Sequence, residues 1–342
     1  MLMPRPPAMR IVSPAPCNAD SNPDADAGRR PAHGAPAVLA EITAGLLAPS
    51  AAVSPKFFYD SLGSRLFEAI CELPEYYPTR TEAAIFARHG SDIARAVGTG
   101  CTLIDLGAGN CAKAAALFPL LQPAQYVPVD ISRDFLADAV RGLQQRFPEI
   151  GMLALGLDFS QGCALPDSVR HAQRLFFYPG SSIGNFGPDE AQRFLRGLRD
   201  SAGADGGLLI GVDLVKDTAL LDAAYDDALG VTAAFNLNLL NHLNHLAGAD
   251  FDVRHWLHRA FFNEQAGRIE MHLEARHALS VRWQGGERHF GAGERIHTEY
   301  SYKYTRAGFV ALLERAGFEA GRIWTDADGW FAVIHARVRD AA

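Results

Sequence analysis

The 342-residue chain is 48% hydrophobic and 21% charged, and its formal net charge at pH 7 is -7. A chain of this size can bury one or two cores, and its interspersed charges form no Lys/Arg stripe, which argues against a nucleic-acid partner. Its five cysteines include no C-x-x-C pair, which argues against a zinc ribbon or a disulfide framework and favours a reducing, cytoplasmic setting.

The N-terminal segment is rich in proline: residues 1–36 hold eight of the 19 prolines, mixed with Ala, Asp, Asn and Arg. These residues lack the continuous apolar run of a signal peptide, so we predict a disordered tail over 1–36. No later segment approaches the roughly 20 consecutive apolar residues of a membrane span. The sequence therefore predicts a soluble protein with no membrane partner.

Helical patterns precede the first strand. Apolar residues recur at helical spacing from about residue 37 to 46 and again from 64 to 71. Thr79 and Glu82 have the spacing of a capping box in front of the apolar-periodic stretch 83–97. We therefore predict a helix that begins at Thr79 and whose first turn is capped by Thr79 and Glu82.

From Thr102 onward, short apolar runs alternate with helical stretches. This alternation is typical of an α/β protein with a doubly wound parallel sheet, whose strands are apolar on both faces because helices cover both. The predicted strands are 102–106, 126–130, 152–157, 174–178 and 207–213, and the predicted helices are 112–121, 133–147, 188–201 and 217–228.

After Tyr225 the pattern changes to a polar helix and three strand-like segments, which indicates a second module that is inserted or appended. A further helix and two strand-like runs near the C-terminus predict a β-hairpin that closes the first sheet. In chain order these segments are 236–245, 268–276, 280–283, 294–303, 309–316, 321–325 and 329–337.

A glycine loop follows the first strand of the alternating region. Gly107 and Gly109 let the backbone approach a ligand closely at the point where a helix begins. With Ala112 they also satisfy a relaxed dinucleotide fingerprint, and Asp130 ends the next strand, where a carboxylate binds ribose hydroxyls. Because NAD and S-adenosylmethionine (SAM) both contain adenosine, Asp130 does not distinguish them.

Acidic residues at two strand ends favour SAM. Asp105 ends the first strand, where its charge would repel a pyrophosphate and attract a sulfonium. Asp158 and Phe159 end the third strand and could address the adenine amino group and the base, although a helix cap and a core ring would look the same. The pattern favours a SAM-dependent methyltransferase over an NAD-dependent oxidoreductase or a noncatalytic nucleotide-binding module.

Several longer sequence motifs resemble those of the ergothioneine-pathway histidine Nα-methyltransferases over about residues 54 to 337. Motifs of this length rarely occur together by chance. The matching segments are Phe58-Tyr59-Asp60, Gly63-Ser64-x-Leu66-Phe67, Leu73-Pro74-Glu75-Tyr76-Tyr77-Pro78-Thr79-Arg80-Thr81-Glu82, Gly180-Ser181-Ser182-Ile183-Gly184-Asn185, Asp213-Leu214-Val215-Lys216-Asp217, Ala224-Tyr225-Asp226-Asp227, Thr232-Ala233-x-Phe235-Asn236, Ile269-Glu270-Met271 and Thr298-Glu299-x-Ser301.

The resemblance implies a Rossmann-like class I methyltransferase domain over 80–213 plus 303–342. It also implies a substrate-binding domain over 37–79 plus 214–302. The implied reaction is the SAM-dependent trimethylation of the α-amino group of L-histidine to hercynine, in ergothioneine biosynthesis. The same chemistry on another aromatic amino acid, such as tryptophan, stays open as the alternative.

The resemblance also assigns roles to residues, with Lys113 reaching the methionyl carboxylate of SAM. It implies that the substrate amino group lies near Gly180 and Asn185. Our own hypothesis adds Tyr59 as a catalytic hydrogen-bond partner of that group. The implied SAM-binding residues are Tyr59, Gly107, Lys113, Asp130, Asp158 and Phe159. The implied histidine-binding residues are Tyr76, Asn185 and Tyr225 for the carboxylate, Glu299 and Ser301 for the imidazole, and Phe67 and Met271 for packing.

The chemistry of two of these residues agrees with their implied role. Glu299 and Ser301 are two positions apart on a strand-like segment, so they face the same way and can address both nitrogens of one imidazole. An indole has one N–H and would leave one of them unpaired, which selects against tryptophan. Met271 shares an apolar face with Ile269 and Leu273, a pattern more typical of ordinary core.

The sequence departs from the family pattern at Ala108, Asn110 and Pro179. Two histidine pairs, His242-x-x-His245 and His255-x-x-His258, have spacings that could bind a metal on a helix face. Neither forms an H-E-x-x-H motif, so we interpret them as polar helix surface and expect no metal. We expect a monomer whose partner is a small molecule.

Overall fold

A computed structural model describes residues 10–12, 36–159 and 165–339. The chain divides into two compact units. Unit 1 comprises Met1–Ser13, Pro78–Lys216 and Tyr302–Ala342, and unit 2 comprises Pro14–Tyr77 and Asp217–Ser301. These bounds lie within a few residues of the predicted ones beyond the tail, and the roles assigned to the two domains stay predictions.

The strands of the described residues are numbered in chain order. They are β1 (Arg10–Val12), β2 (Thr102–Leu106), β3 (Gln125–Asp130), β4 (Gly151–Gly156), β5 (Arg174–Tyr178), β6 (Gly207–Asp213), β7 (Trp256–Asn263), β8 (Arg268–Ala275), β9 (Leu279–Trp283), β10 (Gly286–Phe290), β11 (Arg295–Tyr302), β12 (Phe318–Thr325) and β13 (Phe331–Val338).

The α-helices of the same residues are numbered in the same way. They are α1 (Pro36–Leu47), α2 (Ser61–Cys71), α3 (Tyr77–Val97), α4 (Ala112–Leu121), α5 (Arg133–Arg146), α6 (Pro188–Ala202), α7 (Thr218–Tyr225), α8 (Val231–Ala247) and α9 (Arg306–Arg315). No helix of the described residues has the length and apolarity needed to cross a membrane.

Unit 1 is built on a sheet with the strand order β1-β4-β3-β2-β5-β6-β13-β12. The first six strands in this order pair in parallel, and the hairpin β12–β13 adds antiparallel strands beside β6. The predicted doubly wound α/β fold and its closing hairpin are thus confirmed. Because chain order runs in opposite directions from β2, the carboxyl ends of β2 and β5 flank a switch point, where such folds bind ligands.

Two apolar clusters cover the two faces of this sheet. Phe176 belongs to one cluster with residues of α6 and α9, and the next residue, Phe177, belongs to the other with residues of α3, α4 and α5. Neighbouring residues of a strand point to opposite faces. The continuous apolar runs that predicted the strands are therefore explained by helices packed on both faces.

The short strand β1 corrects one prediction. We expected disorder over residues 1–36, but Arg10–Val12 pair in parallel with Leu153, Ala154 and Leu155 of β4. A sheet edge presents unpaired N–H and C=O groups to any extended segment within reach, so a three-residue strand can pair there. The rest of the predicted tail up to residue 35 lies outside the described residues.

The start of α3 corrects another prediction. The helix begins at Tyr77, with Pro78 in its first turn, where a missing N–H is tolerated. Thr79 therefore lies inside the helix and does not form the predicted capping box. The Glu82 side chain points elsewhere and is only 1% exposed.

Unit 2 combines helices with a sheet of order β11-β8-β7 and the hairpin β9–β10. The Asp60 carboxylate caps α2 by accepting a hydrogen bond from the Gly63 N–H (2.6 Å) and also accepts one from the Asn238 amide of α8 (2.9 Å). Strand β7 was missed in the sequence because most of its side chains are half-buried, so it lacks the alternation that marks a strand.

Two segments of unit 1 form a short parallel bridge: the segment that precedes residues 217–301 and the segment that follows them. Leu214 bridges Tyr304, with the Tyr304 N–H donating to the Asp213 carbonyl and the Val215 N–H donating to the Tyr304 carbonyl (3.0 Å each). Beside this bridge the Asp213 carboxylate, 1% exposed, contacts the ammonium groups of Lys303 (2.8 Å) and Lys216 (2.5 Å). Two lysines and one carboxylate therefore fasten both passages of the chain.

His335, in β13, predicts a loss of stability in acid. Burial, and next the charge of Arg337, lower its pKa from 6.5 to about 4. Because the unfolded chain binds the proton more tightly, the contribution of this group is complete above pH 6.5 and is lost as the pH falls towards 4. Between pH 7.5 and 4.5 the loss is about 2.5 kcal/mol.

Urea denaturation at these two pH values measures the free energy of unfolding. Between them, this free energy should fall by about 2.5 kcal/mol less in His335→Gln than in the wild type. The direct cost of the substitution cancels between the two pH values. His277→Gln, at an exposed position, is the matched control and should leave the wild-type fall unchanged. An equal fall in wild type and His335→Gln would contradict the role of His335.

Candidate functional site

The glycine loop of unit 1 is held against the end of β3. Gly107 and Gly109 adopt φ values of 69° and 52°, in the left-handed region that favours glycine. The Gly107 N–H donates to the Val129 carbonyl (2.9 Å), and the Gly109 N–H donates to Oδ2 of Asp130 (2.9 Å). A Cβ at Gly109 would meet nothing within 4 Å, so the loop borders open space.

Asp130 and Phe159 adjoin this loop. The second carboxylate oxygen of Asp130 accepts from the Ser132 N–H (2.9 Å), which fixes the orientation of the carboxylate. The Phe159 ring lies 3.8 Å from where a Cβ of Gly107 would stand, and it packs edge-on against Tyr178 (5.9 Å between centroids). Asp158 follows β4 and is half-buried. Four predicted positions therefore lie at the carboxyl ends of neighbouring strands.

Asp105 takes a different place from the predicted one. It is 2% exposed, and its carboxylate accepts a hydrogen bond from the Tyr126 hydroxyl (2.7 Å). Burial raises the pKa of Asp105 to about 7, against the opposing effects of this hydrogen bond and of Lys113. The geometry favours a supporting role for Asp105 inside the unit rather than the predicted contact with a sulfonium.

Lys113 and Gly180 meet on Glu82, a residue that the sequence assigned to a helix cap. Oε2 of Glu82 contacts the Lys113 ammonium (2.6 Å), and Oε1 accepts from the Gly180 N–H (2.8 Å). A Cβ at Gly180 would lie 3.3 Å from the Lys113 ammonium. One signal could have found this site: Gly211 interrupts the apolar strand β6, and a Cβ there would lie 2.2 Å from Oε1 of Glu82.

The segment from Gly180 to Asn185 forms a tight turn. Gly180 and Ser181 both have positive φ (75° and 58°), and the Gly184 N–H donates to the Ser181 carbonyl (2.9 Å). The Ser181 hydroxyl accepts from the Asp213 N–H (2.8 Å), which ties the turn to β6. Asn185 ends the 3₁₀ turn and is half-buried.

Unit 2 contains a pocket of about 280 Å³, a volume that includes its opening to solvent. Five of the residues predicted to bind the substrate line it. These are Phe67, Tyr76, Tyr225, Met271 and Glu299. Ile70, Ala224, Thr232 and Phe235 complete the lining, and sequence reasoning did not assign them to a site.

The pocket has aromatic walls and a polar end. The Tyr59 ring packs edge-on against Phe67 (5.8 Å), Phe67 against Tyr76 (6.2 Å) and Tyr76 against Tyr225 (6.1 Å). At the polar end, the hydroxyls of Tyr225 and Ser301 are 2.8 Å apart and share a hydrogen bond. Ser301 is not itself one of the lining residues and contacts the pocket through Tyr225.

Glu299 and Tyr76 are two ionisable residues of the pocket lining. Glu299 is 9% exposed and is the acidic residue of the lining. Burial of the Tyr76 hydroxyl, followed by the proximity of Tyr225, Cys71, Glu299 and Tyr59, raises the pKa of Tyr76 well above its ordinary value. Tyr76 consequently stays a neutral hydroxyl that can donate a hydrogen bond at any physiological pH.

His258 supports the pocket from behind, which corrects the interpretation of this histidine as polar helix surface. It lies in strand β7; its Nδ1 accepts from the Asn236 amide (2.8 Å), and its Nε2 donates to the Tyr225 carbonyl (2.9 Å). This neutral form agrees with its pKa, which burial lowers below 6.5. His242 bonds the Phe57 carbonyl (2.7 Å). The described residues hold no group of three or more potential metal ligands.

The chain is similar to proteins of a known family. A family model described as SAM-dependent, histidine-specific methyltransferase matches residues 38–338. The chain is 40% identical over 305 residues to a histidine N-alpha-methyltransferase of Mycolicibacterium smegmatis, with 87% of this chain and 94% of that protein covered. A protein of the same description from Mycobacterium tuberculosis is 37% identical over 303 residues, with the same coverage of both chains.

A fungal protein is also similar. The chain is 31% identical over 277 residues to the ergothioneine biosynthesis protein 1 of Neurospora crassa, and this match covers 78% of the chain but only 31% of that protein. The chain thus spans nearly the whole of the two mycobacterial relatives and about a third of the fungal one.

Proposed function

The chain belongs to the SAM-dependent, histidine-specific methyltransferases, and from this membership we propose that it methylates the α-amino group of L-histidine three times in succession. The product is then hercynine, the trimethylammonium betaine of histidine. The similarity to an ergothioneine biosynthesis protein supports a place in that pathway. We propose further that the enzyme acts as a monomer in the cytoplasm.

The observation that best supports histidine as the methyl acceptor is the Glu299 carboxylate in the pocket of unit 2. A buried carboxylate needs hydrogen-bond donors, and an imidazole offers one N–H when neutral and two when protonated. Ser301, on the same face of β11, suits the second ring nitrogen. A phenyl ring would offer neither group a hydrogen bond, and an indole could serve only one of the two, so the set favours histidine.

Two tyrosines support the binding of an amino-acid carboxylate. Tyr76 and Tyr225 line the same pocket with their rings 6.1 Å apart. The raised pKa of Tyr76 keeps its hydroxyl protonated, and hydrogen bonds to a charged acceptor are about twice as strong as neutral ones. We propose that these hydroxyls hold the histidine carboxylate, with Phe67 and Met271 packing on the side chain.

The residues of unit 1 fit SAM. The backbone at Gly109 borders open space that leaves room for a ligand, and the Asp130 carboxylate lies where it suits ribose hydroxyls. Phe159 offers a ring beside the loop, and Lys113 offers an ammonium group for a carboxylate. When bound, SAM supplies an electrophilic methyl group on a positively charged sulfur.

The chain must present a neutral amine to that methyl group. The α-amine of a free amino acid is mostly protonated near pH 7, and a second cation next to it disfavours the proton. We propose that the proton leaves to water on binding and that Asn185 and the Gly180 carbonyl orient the nitrogen lone pair, with Tyr59 as a further partner. Orientation of this kind lowers the barrier without covalent help from the protein.

The proposed function predicts mono-, di- and trimethylated histidine when the purified protein is incubated with L-histidine and SAM. Mass spectrometry with a methyl-labelled donor checks the number of groups added and their position on the α-nitrogen. Tryptophan, phenylalanine and tyrosine in the same panel should react far more slowly, because none pairs with both Glu299 and Ser301. Methylation of tryptophan in preference to histidine would show that the enzyme is an amino-acid N-methyltransferase with a different acceptor.

Calorimetry separates the remaining alternatives. The proposed function predicts binding of SAM and no measurable binding of NAD. Tight NAD binding would instead support an oxidoreductase. Binding of SAM without turnover of any amino acid in the panel would support a noncatalytic nucleotide-binding module.

A further inference from the structure

Glu82 is a buried carboxylate of α3 that joins two groups for which the proposed function has a use. Its side chain is 1% exposed, and its two oxygens have different partners: Lys113 (2.6 Å) and the N–H of Gly180 (2.8 Å). A buried carboxylate is costly unless both oxygens are paired. Glu82 therefore holds the Lys113 ammonium and the peptide that precedes Gly180 in fixed positions relative to each other.

The peptide between Pro179 and Gly180 is fixed from both sides. Its N–H donates to Glu82, and its carbonyl accepts from the Ser182 hydroxyl (3.3 Å). The turn that follows runs through Ser181 to Asn185. The orientation of this peptide consequently sets the start of the turn whose end carries Asn185.

The Glu82 carboxylate occupies space that a side chain at position 211 of β6 would otherwise fill. Gly211 lies in the middle of this strand, where glycine is unfavourable. A Cβ at that position would stand 2.2 Å from Oε1 of Glu82 and 2.9 Å from the Phe331 ring. The glycine therefore gives the carboxylate access to Gly180 and Lys113.

We propose that Glu82 is a positioning residue that presents the Lys113 ammonium to the carboxylate of the methionyl part of SAM and holds the Gly180 turn in its binding conformation. The inference rests on the proposed function, because it assumes that Lys113 meets that carboxylate. Glu82 itself touches neither substrate. It acts only through the Lys113 ammonium and the Gly180 N–H. Loss of Glu82 should therefore weaken the binding of ligands that reach these groups more than the binding of ligands that do not.

The test compares two ligands of one protein. S-Adenosylhomocysteine carries the amino-acid part that Lys113 would hold, whereas 5′-methylthioadenosine has the same adenosine and sulfur without it. In Glu82→Gln the side-chain oxygen can still accept from the Gly180 N–H, but an amide NH₂ group faces Lys113 where a carboxylate oxygen stood. We expect calorimetry to show S-adenosylhomocysteine binding weakened about 10- to 100-fold and methylthioadenosine binding changed less than about threefold.

A second variant tests the same point without altering the carboxylate. Gly211→Ala should displace Glu82 and weaken S-adenosylhomocysteine binding in the same selective way. Gly197→Ala is its control, because a Cβ there meets nothing within 4 Å in helix α6, and it should bind both ligands like the wild type.

The outcomes separate this inference from the proposed function. Equal weakening of both ligands in Glu82→Gln would mean a merely structural role and would overturn the inference. Wild-type binding of S-adenosylhomocysteine by Glu82→Gln would overturn it as well. Failure of the wild-type protein to bind S-adenosylhomocysteine would overturn the proposed function itself.

Discussion

Replacement of Glu299 by alanine should lower kcat/KM for L-histidine about 100- to 1,000-fold. The carboxylate is 9% exposed and is the acidic group of the pocket lining, so in the proposed complex its removal takes away the hydrogen-bond partner of an imidazole N–H. A radiolabelled-methyl assay over a range of histidine concentrations measures the loss. Most of it should appear in KM if Glu299 holds the ring equally in the ground state and the transition state.

Two further variants make this result specific. Glu287→Ala removes an exposed carboxylate from β10 and should leave kcat/KM for histidine within about twofold. The double variant Glu299→Ala with Met271→Val should lose at least as much histidine activity as Glu299→Ala alone, and its ratio of histidine to tryptophan turnover should fall. Full retention of histidine methylation in the double variant would contradict the assignment of the acceptor.

Replacement of Asp213 by asparagine should lower the free energy of unfolding by about 3 to 5 kcal/mol. The carboxylate neutralises Lys303 and Lys216, whose side chains are 0% and 4% exposed, so the variant removes the buried counter-charge that the two ammonium groups share. Burial alone would raise the pKa of Asp213, but the two lysines hold it below its ordinary value. Urea denaturation followed by circular dichroism at pH 7 measures the change.

The control for this variant lies four residues away. Asp217 caps α7 by accepting from the Ala219 N–H (2.9 Å) at an exposed position, and asparagine caps helices about as well as aspartate. Asp217→Asn should therefore change the free energy of unfolding by less than about 0.5 kcal/mol. A loss below about 1 kcal/mol in Asp213→Asn would show that the buried lysines find other partners or lose their protons.

The sequence predicted the parts of the fold that depend on local patterns. Strands β2, β5 and β6 were predicted to the residue, because buried parallel strands are short, mostly apolar and bounded by polar turns. Strand β7 was missed because its side chains are half-buried along most of its length. The position of β1 depends on an edge of the sheet contributed by β4, far along the chain, and no local pattern of three residues reveals such a partner.

The site was predictable to a different extent in each unit. Strand-end positions predicted Asp130 and the glycine loop as candidates, and the structure brings them together because the carboxyl ends of parallel strands meet at one edge. Tyr76, Tyr225 and Glu299 came from the resemblance, because their contact in one pocket joins segments far apart in the chain. Glu82 was misassigned: its spacing from Thr79 fits a capping box, and only the tertiary structure shows its contacts with Lys113 and Gly180.

The bridge between Leu214 and Tyr304 has an evolutionary consequence. The chain leaves the sheet of unit 1 and returns to it at paired residues, so the intervening segment 217–301 is an insertion whose two ends are already joined. Insertions with adjacent, fastened ends tolerate changes of length and sequence without disturbing the host domain. A descendant of this fold can therefore remodel the pocket lined by Tyr225, Met271 and Glu299 while the sheet of unit 1 is inherited unchanged.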